Sequence, residues 1–254
     1  MSSAYVKRSG DPARSDFFAV EAAGLRWLAD AGPGSAAVVG VREVDEHQIV
    51  LDRLVTVRPT RESATAFGTA LARTHGAGAA AFGQPPAGWT GDGYIGQQRL
   101  SLRPEPTWGA FYAGQRVWPY AERAHQVGNL SDTALRTVER VCCRLADGEF
   151  DDDRPPARIH GDLWSGNVLF TGQGVVMIDP AAHGGHGLTD LAMLHLFGAP
   201  QLSTITAAYA AAAGLGRGWE AVIGLHQLHP LLVHAVSHGA SYGERAGRVA
   251  ERYR

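Results

Sequence analysis

The stretch that most constrains this chain runs from Ile159 to Asp190. Two short apolar runs, Val168-Leu169-Phe170 and Val175-Val176-Met177-Ile178, flank Thr171-Gly172-Gln173-Gly174. β-Branched and aromatic residues on either side of a glycine-containing turn predict a β-hairpin. Its polar residues gather at one end. Asp162 and Asn167 precede the first strand, and Asp179 ends the second. Closing the hairpin therefore brings Asn167 and Asp179 near each other, although both strands separate them in sequence.

A carboxylate and an amide oxygen that converge are hard oxygen ligands, suited to Mg²⁺ that also carries nucleotide phosphates. Asp162, five residues before Asn167, can face an acceptor hydroxyl instead. Phosphoryl transfer needs this set: one Asp to orient and deprotonate the acceptor, and an Asn and a second Asp on the metal. The protein-kinase catalytic loop has the same Asp-to-Asn spacing. A polar turn before an ordinary hairpin accounts for any one of these residues. The ordered set points to kinase-like chemistry, with ATP and Mg²⁺ as cofactors.

The segment His160-Gly161-Asp162-Leu163-Trp164-Ser165-Gly166-Asn167 is followed by Ile178-Asp179-Pro180-Ala181, by Gly185-His186 and by Asp190-Leu191-Ala192-Met193. Together these resemble the fructosamine kinase (ketosamine-3-kinase) family, within the aminoglycoside-phosphotransferase-like branch of the protein-kinase-like superfamily. The His-Gly-Asp, Asn and Asp skeleton is common to the branch. The Leu-Trp-Ser-Gly insert and the Asp-Pro-Ala ending are narrower. Ala81-Phe82-Gly83, Asp92-Gly93-Tyr94-Ile95-Gly96, Trp108 to Arg116 and Leu228 to Ala235 extend the likeness, which runs from Lys7 to about Tyr242.

The resemblance implies an α+β, bilobal protein-kinase-like fold. A small nucleotide-binding sheet lobe would span residues 1–54 and a mostly helical catalytic and substrate lobe residues 55–254, with the site in the cleft between them. It implies an ATP-dependent kinase acting on a sugar hydroxyl of a ketosamine such as a fructosamine or ribulosamine, in a deglycation role. Aminoglycoside or amino-alcohol phosphorylation, and a nucleotide-binding protein that has lost catalysis, are the rival readings. Asp162 would be the catalytic base, with Asn167 and Asp179 on the metal.

Nucleotide-binding residues follow from the same likeness. Ala4-Tyr5-Val6-Lys7 reads as a short strand, and Ser15 to Ala29 as a helix with Ser15 or Asp16 as its cap. A strand lysine paired with a helix glutamate holds the α- and β-phosphates in kinases. That assigns Lys7 and Glu21, which would otherwise read as solvated charges. Leu51-Asp52-Arg53-Leu54 falls where a kinase-like chain passes between lobes and offers backbone groups to adenine. Kinase-like folds carry a glycine-rich hairpin before the lysine strand. Six residues precede Lys7, so the small lobe is expected to be truncated, without that hairpin.

Elsewhere the patterns predict strands over Ala36–Val44 and Gln48–Leu54. Helices are predicted over Pro59–His75, Trp108–Val127, Ser131–Leu145, Leu191–Phe197, Thr204–Ala213 and Trp219–His238. Phe82, Tyr94 and Trp108 read as core aromatics first and as sugar-lining residues second. Asp151-Asp152-Asp153 reads as a solvated charge run. His183 and His186 read as loop hydrogen-bonding residues. Asp190 caps the following helix or braces the catalytic loop.

Charge excludes other classes. Twenty-three basic against twenty-five acidic residues give no basic field for nucleic acid or an anionic membrane. No run approaches the ~20 apolar residues that span a bilayer. Met1–Gly10 lacks the apolar centre of a signal peptide. Cys142 and Cys143 are adjacent and suit a reducing compartment. A cytoplasmic monomer with a small-molecule glycated substrate is the expectation.

Overall fold

The computed structural model describes residues 4–9 and 14–254. The two expectations about the N-terminus, no signal peptide within Met1–Gly10 and no hairpin before Lys7, fall partly on residues 1–3 and 10, outside those described.

The first sheet orders its strands β1 (Ala4–Arg8), β4 (Gln48–Asp52) and β3 (Val41–Val44). β1 runs antiparallel to β4 with Lys7 opposite Ile49. Helix α1 (Phe17–Ala29) packs on this sheet through Phe18, Ala22 and Leu25, against Ile49 and Leu51. Fully burying a Phe, Leu or Ile side chain stabilises by roughly 1.5–3 kcal/mol. Asp16 occupies the N-cap position of α1, but its side chain makes no cap hydrogen bond. The carboxylate is turned to another partner, described below.

The predicted Ala36–Val44 strand is broken in two. β2 (Ala37–Val38) pairs in parallel with β9 (Gly174–Met177), whereas β3 pairs with β4. The switch occurs at Gly40, whose carbonyl accepts from Asp52 N at 2.9 Å and where any Cβ would collide with the Asp52 carboxylate. The predicted hairpin forms as β8 (Val168–Thr171) and β9, with Val168 opposite Met177 and Thr171 opposite Gly174.

Helix α2 (Arg61–Gly76) opens with a capping box between Thr60 and Ser63. It packs with α6 (Leu188–Phe197) and α7 (Leu202–Ala212) over the inner face of the hairpin. A second, larger core joins α3 (Trp108–Phe111), α4 (Trp118–Gln126), α5 (Asp132–Ala146), α9 (Leu228–His238) and α10 (Ala240–Ala250).

Two long predicted helices are interrupted, each for the same reason. Between α3 and α4 the chain widens into a π-helical turn, Tyr112–Val117. Pro119 has no N–H to offer the Gln115 carbonyl, and the Arg116 guanidinium donates to that carbonyl at 3.1 Å instead. The predicted Trp219–His238 helix becomes a 3₁₀ turn, α8 (Ile223–His226) and α9. Pro230 likewise leaves the His226 carbonyl unpartnered within the helix, and the Tyr112 hydroxyl donates to it at 2.8 Å.

Three features lie outside the predicted pattern: the ribbons β5 (Gly93–Ile95)–β6 (Gln98–Leu100) and β7 (Ala157–Ile159)–β10 (His183–Gly185), and helix α10. No helix among the described residues is long and apolar enough to cross a membrane.

His183, His226 and His229 are buried among these elements. Burial pushes all three imidazoles below their ordinary value, His183 to about 3. The folded state thus resists a proton that the unfolded chain accepts near pH 6.5. Stability is full above pH 6.5 and falls as pH drops towards 3, by up to about 1.4 kcal/mol per pH unit for each imidazole. Urea midpoints measured between pH 7.5 and 4 should fall steadily, and a flat profile would contradict the neutral burial of these residues.

Candidate active site

The His160–Asn167 stretch is held by one buried carboxylate. Asp190, in the first turn of α6, accepts from the backbone N–H of His160 at 2.8 Å and of Gly161 at 2.9 Å. His75 Nε2 lies 3.0 Å from the same carboxylate, and the Tyr209 hydroxyl 2.7 Å from His75 Nδ1. With Nε2 protonated, His75 donates to Asp190 and accepts from Tyr209. Burial alone would raise the Asp190 carboxyl, but hydrogen bonds and charge from His75 and His160 hold it below its ordinary value. Of its two expected roles, capping or bracing, Asp190 takes the brace.

His160 continues the chain of contacts. Its Nε2 lies 2.8 Å from the Ile178 carbonyl, and its Nδ1 accepts from Asp162 N at 3.2 Å. It therefore stitches β7 to the end of β9. Gly161 sits at φ 80°, and a Cβ there would run into the Ala181 carbonyl. Only glycine meets both conditions at low cost.

At the far end of the ribbon the expected oxygens converge. Asn167 Nδ2 donates to the Asp162 carbonyl at 2.8 Å and lies 3.3 Å from both Asp162 Oδ2 and the Asp179 carbonyl. This commits the amide nitrogen and leaves Oδ1 as the atom that could face a metal ion. Asp179 takes a left-handed conformation, φ 54°, a geometry Asp tolerates better than most residues. Lys7 Nζ reaches Glu21 Oε1 and Oε2 at 2.8 Å and Asp179 Oδ1 at 3.0 Å. Burial would lower the Lys7 ammonium, yet the charges of Glu21 and Asp179 raise it above its ordinary value.

Lys7, Glu21, Asp162, Asn167 and Asp179 all line one cavity of about 220 Å³. Two larger cavities flank it. One, of about 350 Å³, is walled by Tyr5, Val39, Leu51, Leu54, Leu169 and Ile178, and shares Asp179 with the first. Asp52 and Arg53 also line it, although the Asp52 carboxylate is paired with Arg42 at 2.7 Å. The other, of about 630 Å³, shares Asp162, Trp164 and Gly96 with the first and is lined by Phe197, His234, His238 and Tyr242. The three form one cleft with Asp179 at one junction and Asp162 at the other.

The Asp162 carboxyl is pushed up to about 7, chiefly by burial and then by the charges of Asp179 and Asp190. A carboxylate with a value near neutrality suits proton transfer. The donor set also fits Mg²⁺. One carboxylate and one amide oxygen suffice for an ion that keeps waters and takes phosphate oxygens for its other positions. Among the described residues no cluster of three or more His, Cys, Asp or Glu is placed to hold a metal ion alone.

Phe82 and Trp108 are core residues, as first read, and Tyr94, also buried, lines the central cavity. Other expectations resolve differently. Asp151 and Asp152 are not merely solvated. Asp151 Oδ1 accepts from Gly109 N at 2.8 Å, and Asp152 pairs with His186 at 3.1 Å. His183 hydrogen-bonds the Ala181 carbonyl at 2.7 Å but lies in β10 rather than a loop. Sequence reasoning missed Trp164, His75 and the His234–Tyr242 wall. Trp164 is 43% exposed. Its indole lies over Gly166, where a Cβ would collide with the ring. The small residue two positions on was the available signal.

Comparison with known proteins follows the same lines. The fructosamine kinase family model matches residues 2–253. A Lactiplantibacillus plantarum relative, a "Probable ketoamine kinase", is 30% identical over 93% of this chain and 82% of its own length. An Enterococcus faecium relative of the same description is 31% identical over 66% of this chain, which spans only 61% of that protein. Among solved structures, a Thermobifida fusca protein assigned as a fructosamine-3-kinase superposes with a TM-score of 0.91 at 44% identity, covering 99% of this chain and 85% of that one. A thermostable mutant of aminoglycoside phosphotransferase APH(4)-Ia, in a ternary complex with ADP and hygromycin B, superposes with a TM-score of 0.58 at 18% identity over 98% and 85% of the two chains, a likeness of fold alone. The chain belongs to the fructosamine kinase family, kinases that phosphorylate a hydroxyl group on the bilobal protein-kinase-like fold.

Proposed function

We propose that this protein is an ATP-dependent kinase that phosphorylates a sugar hydroxyl of ketosamines. The observation that carries the reading is the position of Asp162. It stands at the junction between the central cavity, with its lysine and metal-type oxygens, and the cavity walled by Trp164, His234 and Tyr242. There a base would meet both a phosphate and an acceptor.

In this reading the cavity beside Leu51-Asp52-Arg53-Leu54 takes the adenine between Val39, Leu54 and Ile178. The lobes divide near residue 54. Glu21 fixes Lys7 against the α- and β-phosphates. Asn167 and Asp179 would hold Mg²⁺, which would supply positive charge against the phosphates. Asp162 orients the acceptor hydroxyl and takes its proton. As the O–H bond breaks, the sugar oxygen bonds to the γ-phosphorus and the bond to the departing ADP breaks. Trp164 offers an exposed ring face to the sugar.

The acceptor cavity supports a ketosamine over a polycationic aminoglycoside. Its described lining contains two imidazoles and a single carboxylate, Asp162 itself. A polyamine has no acidic wall to pair with there, and an unpaired desolvated ammonium is costly. The family relation and the ketosamine kinase description of relatives support the same substrate class.

Two outcomes test the reading. Asp162→Asn should cut turnover of a ribulosamine by on the order of 10² or more while thermal stabilisation by Mg-ATP persists; a near-normal rate would remove Asp162 as the base. In an acceptor screen, ribulosamine or fructosamine should be turned over and kanamycin-type aminoglycosides should not. Efficient aminoglycoside turnover would move the substrate class, and nucleotide binding without any turnover would favour a protein that has lost catalysis.

A further inference from the structure

Helix α1 carries Glu21, and its two ends are held by different devices. At the C-terminal end, Arg158 Nη1 donates to the Trp27 carbonyl at 2.6 Å, and its guanidinium lies 4.7 Å from the Trp27 ring centre. At the N-terminal end stands Asp16. Its carboxylate ignores the helix N–H groups it is placed to cap. Instead it accepts from the Tyr94 hydroxyl and from Arg99 Nη1, the latter at 3.0 Å.

Tyr94 and Arg99 face each other across the β5–β6 ribbon. The Arg99 guanidinium stacks 4.4 Å from the Tyr94 ring centre, and Phe17 meets the same ring edge-on at 5.2 Å. The ribbon itself is fastened to the helical core. Tyr120 donates to the Arg99 carbonyl at 2.8 Å, and Gln98 Nε2 donates to the Val233 carbonyl at 3.1 Å. Its tip, Gly96, lines both the central and the acceptor cavities.

We infer that Asp16, Tyr94 and Arg99 form a latch that ties helix α1 to the β5–β6 ribbon and so positions Glu21, and through it Lys7, over the phosphate end of the cleft. These are positioning residues, and the inference rests on the phosphotransfer reading above. Phe18, Ala22 and Leu25 hold α1 to the small sheet, but among the described residues the latch is what ties its N-terminal end to the ribbon that borders the cleft. Without it, α1 keeps its seat on the sheet, while the first turn and Glu21 lose their fixed distance from that ribbon and shift slightly relative to Asp179. The energy involved is small, because Asp16 and Arg99 are 35% and 47% exposed and exposed ion pairs contribute little to stability. What the latch sets is geometry, to which phosphoryl transfer is sensitive.

The test is Asp16→Ala, alone and combined with Glu21→Gln. Alone, it should lower affinity for Mg-AMP-PNP several-fold by calorimetry, and lower kcat for a ribulosamine by about tenfold. Its Tm should stay within about 2 °C of the parent. In the Glu21→Gln background the same change should cost less than about twofold, since Asp16 acts through Glu21. Tyr94→Phe, which keeps the Arg99 pair, should fall in between. An undiminished effect in the Glu21→Gln background, or unchanged AMP-PNP affinity in Asp16→Ala, would overturn the latch. Should Asp16→Ala fail to fold, Arg99→Gln at the exposed edge puts the same question. If the parent binds Mg-AMP-PNP but phosphorylates no ketosamine, the acceptor reading fails, while the affinity series still decides the latch.

Discussion

The site depends on the Asp190 carboxylate. It is fully buried, yet it stays charged because two backbone N–H groups and the His75 imidazole surround it. Burying such a charge without partners would be costly; with them it becomes a rigid centre to which a loop can be tied. The loop so tied holds His160, and His160 fixes the end of β9 where Asp179 turns left-handed. Tyr209 from α7 and His75 from α2 reach Asp190 from behind. Three helices and one ribbon thus converge on a group that lies in none of the three cavities of the cleft.

The cleft divides its work by charge. Its apolar end, beside Leu51 and Ile178, offers walls and backbone. The middle concentrates Lys7, Glu21, Asp162, Asn167 and Asp179. The far end is aromatic and imidazole-rich, with His234 and His238 rings 4.9 Å apart. Burial first, and then the charges of Asp179 and Asp190, raise the Asp162 carboxyl, while the Lys7 cation pairs with Glu21 and Asp179. A site of this kind trades stability for function, since its carboxylates repel one another until a cation arrives.

Much of this was legible in the chain. The β8–β9 hairpin followed from apolar runs around a glycine turn, and the hairpin in turn predicted where Asn167 and Asp179 meet. Lys7 and Glu21 could be paired only because the downstream motif supplied a reason; nothing in their own neighbourhood did. Interrupted helices escaped prediction for a physical reason. Pro119 and Pro230 each leave a carbonyl that a distant side chain, Arg116 or Tyr112, satisfies, and such a partner is invisible to local periodicity. Strands of three residues, as in β5 to β7 and β10, are too short to show alternation. Asp16 was read as a cap because its position is a cap position, whereas tertiary partners claimed its carboxylate.

The Trp164 ring lies where it does because residue 166 has no side chain. Adding so little as a methyl group there would tip the indole off its seat and reshape the room beside Asp162 without altering a single polar atom. Such a change would alter the shape of that cavity while leaving its charges in place. In this scaffold, then, the contour of the cavity beside Asp162 is set by the smallest residue in the loop.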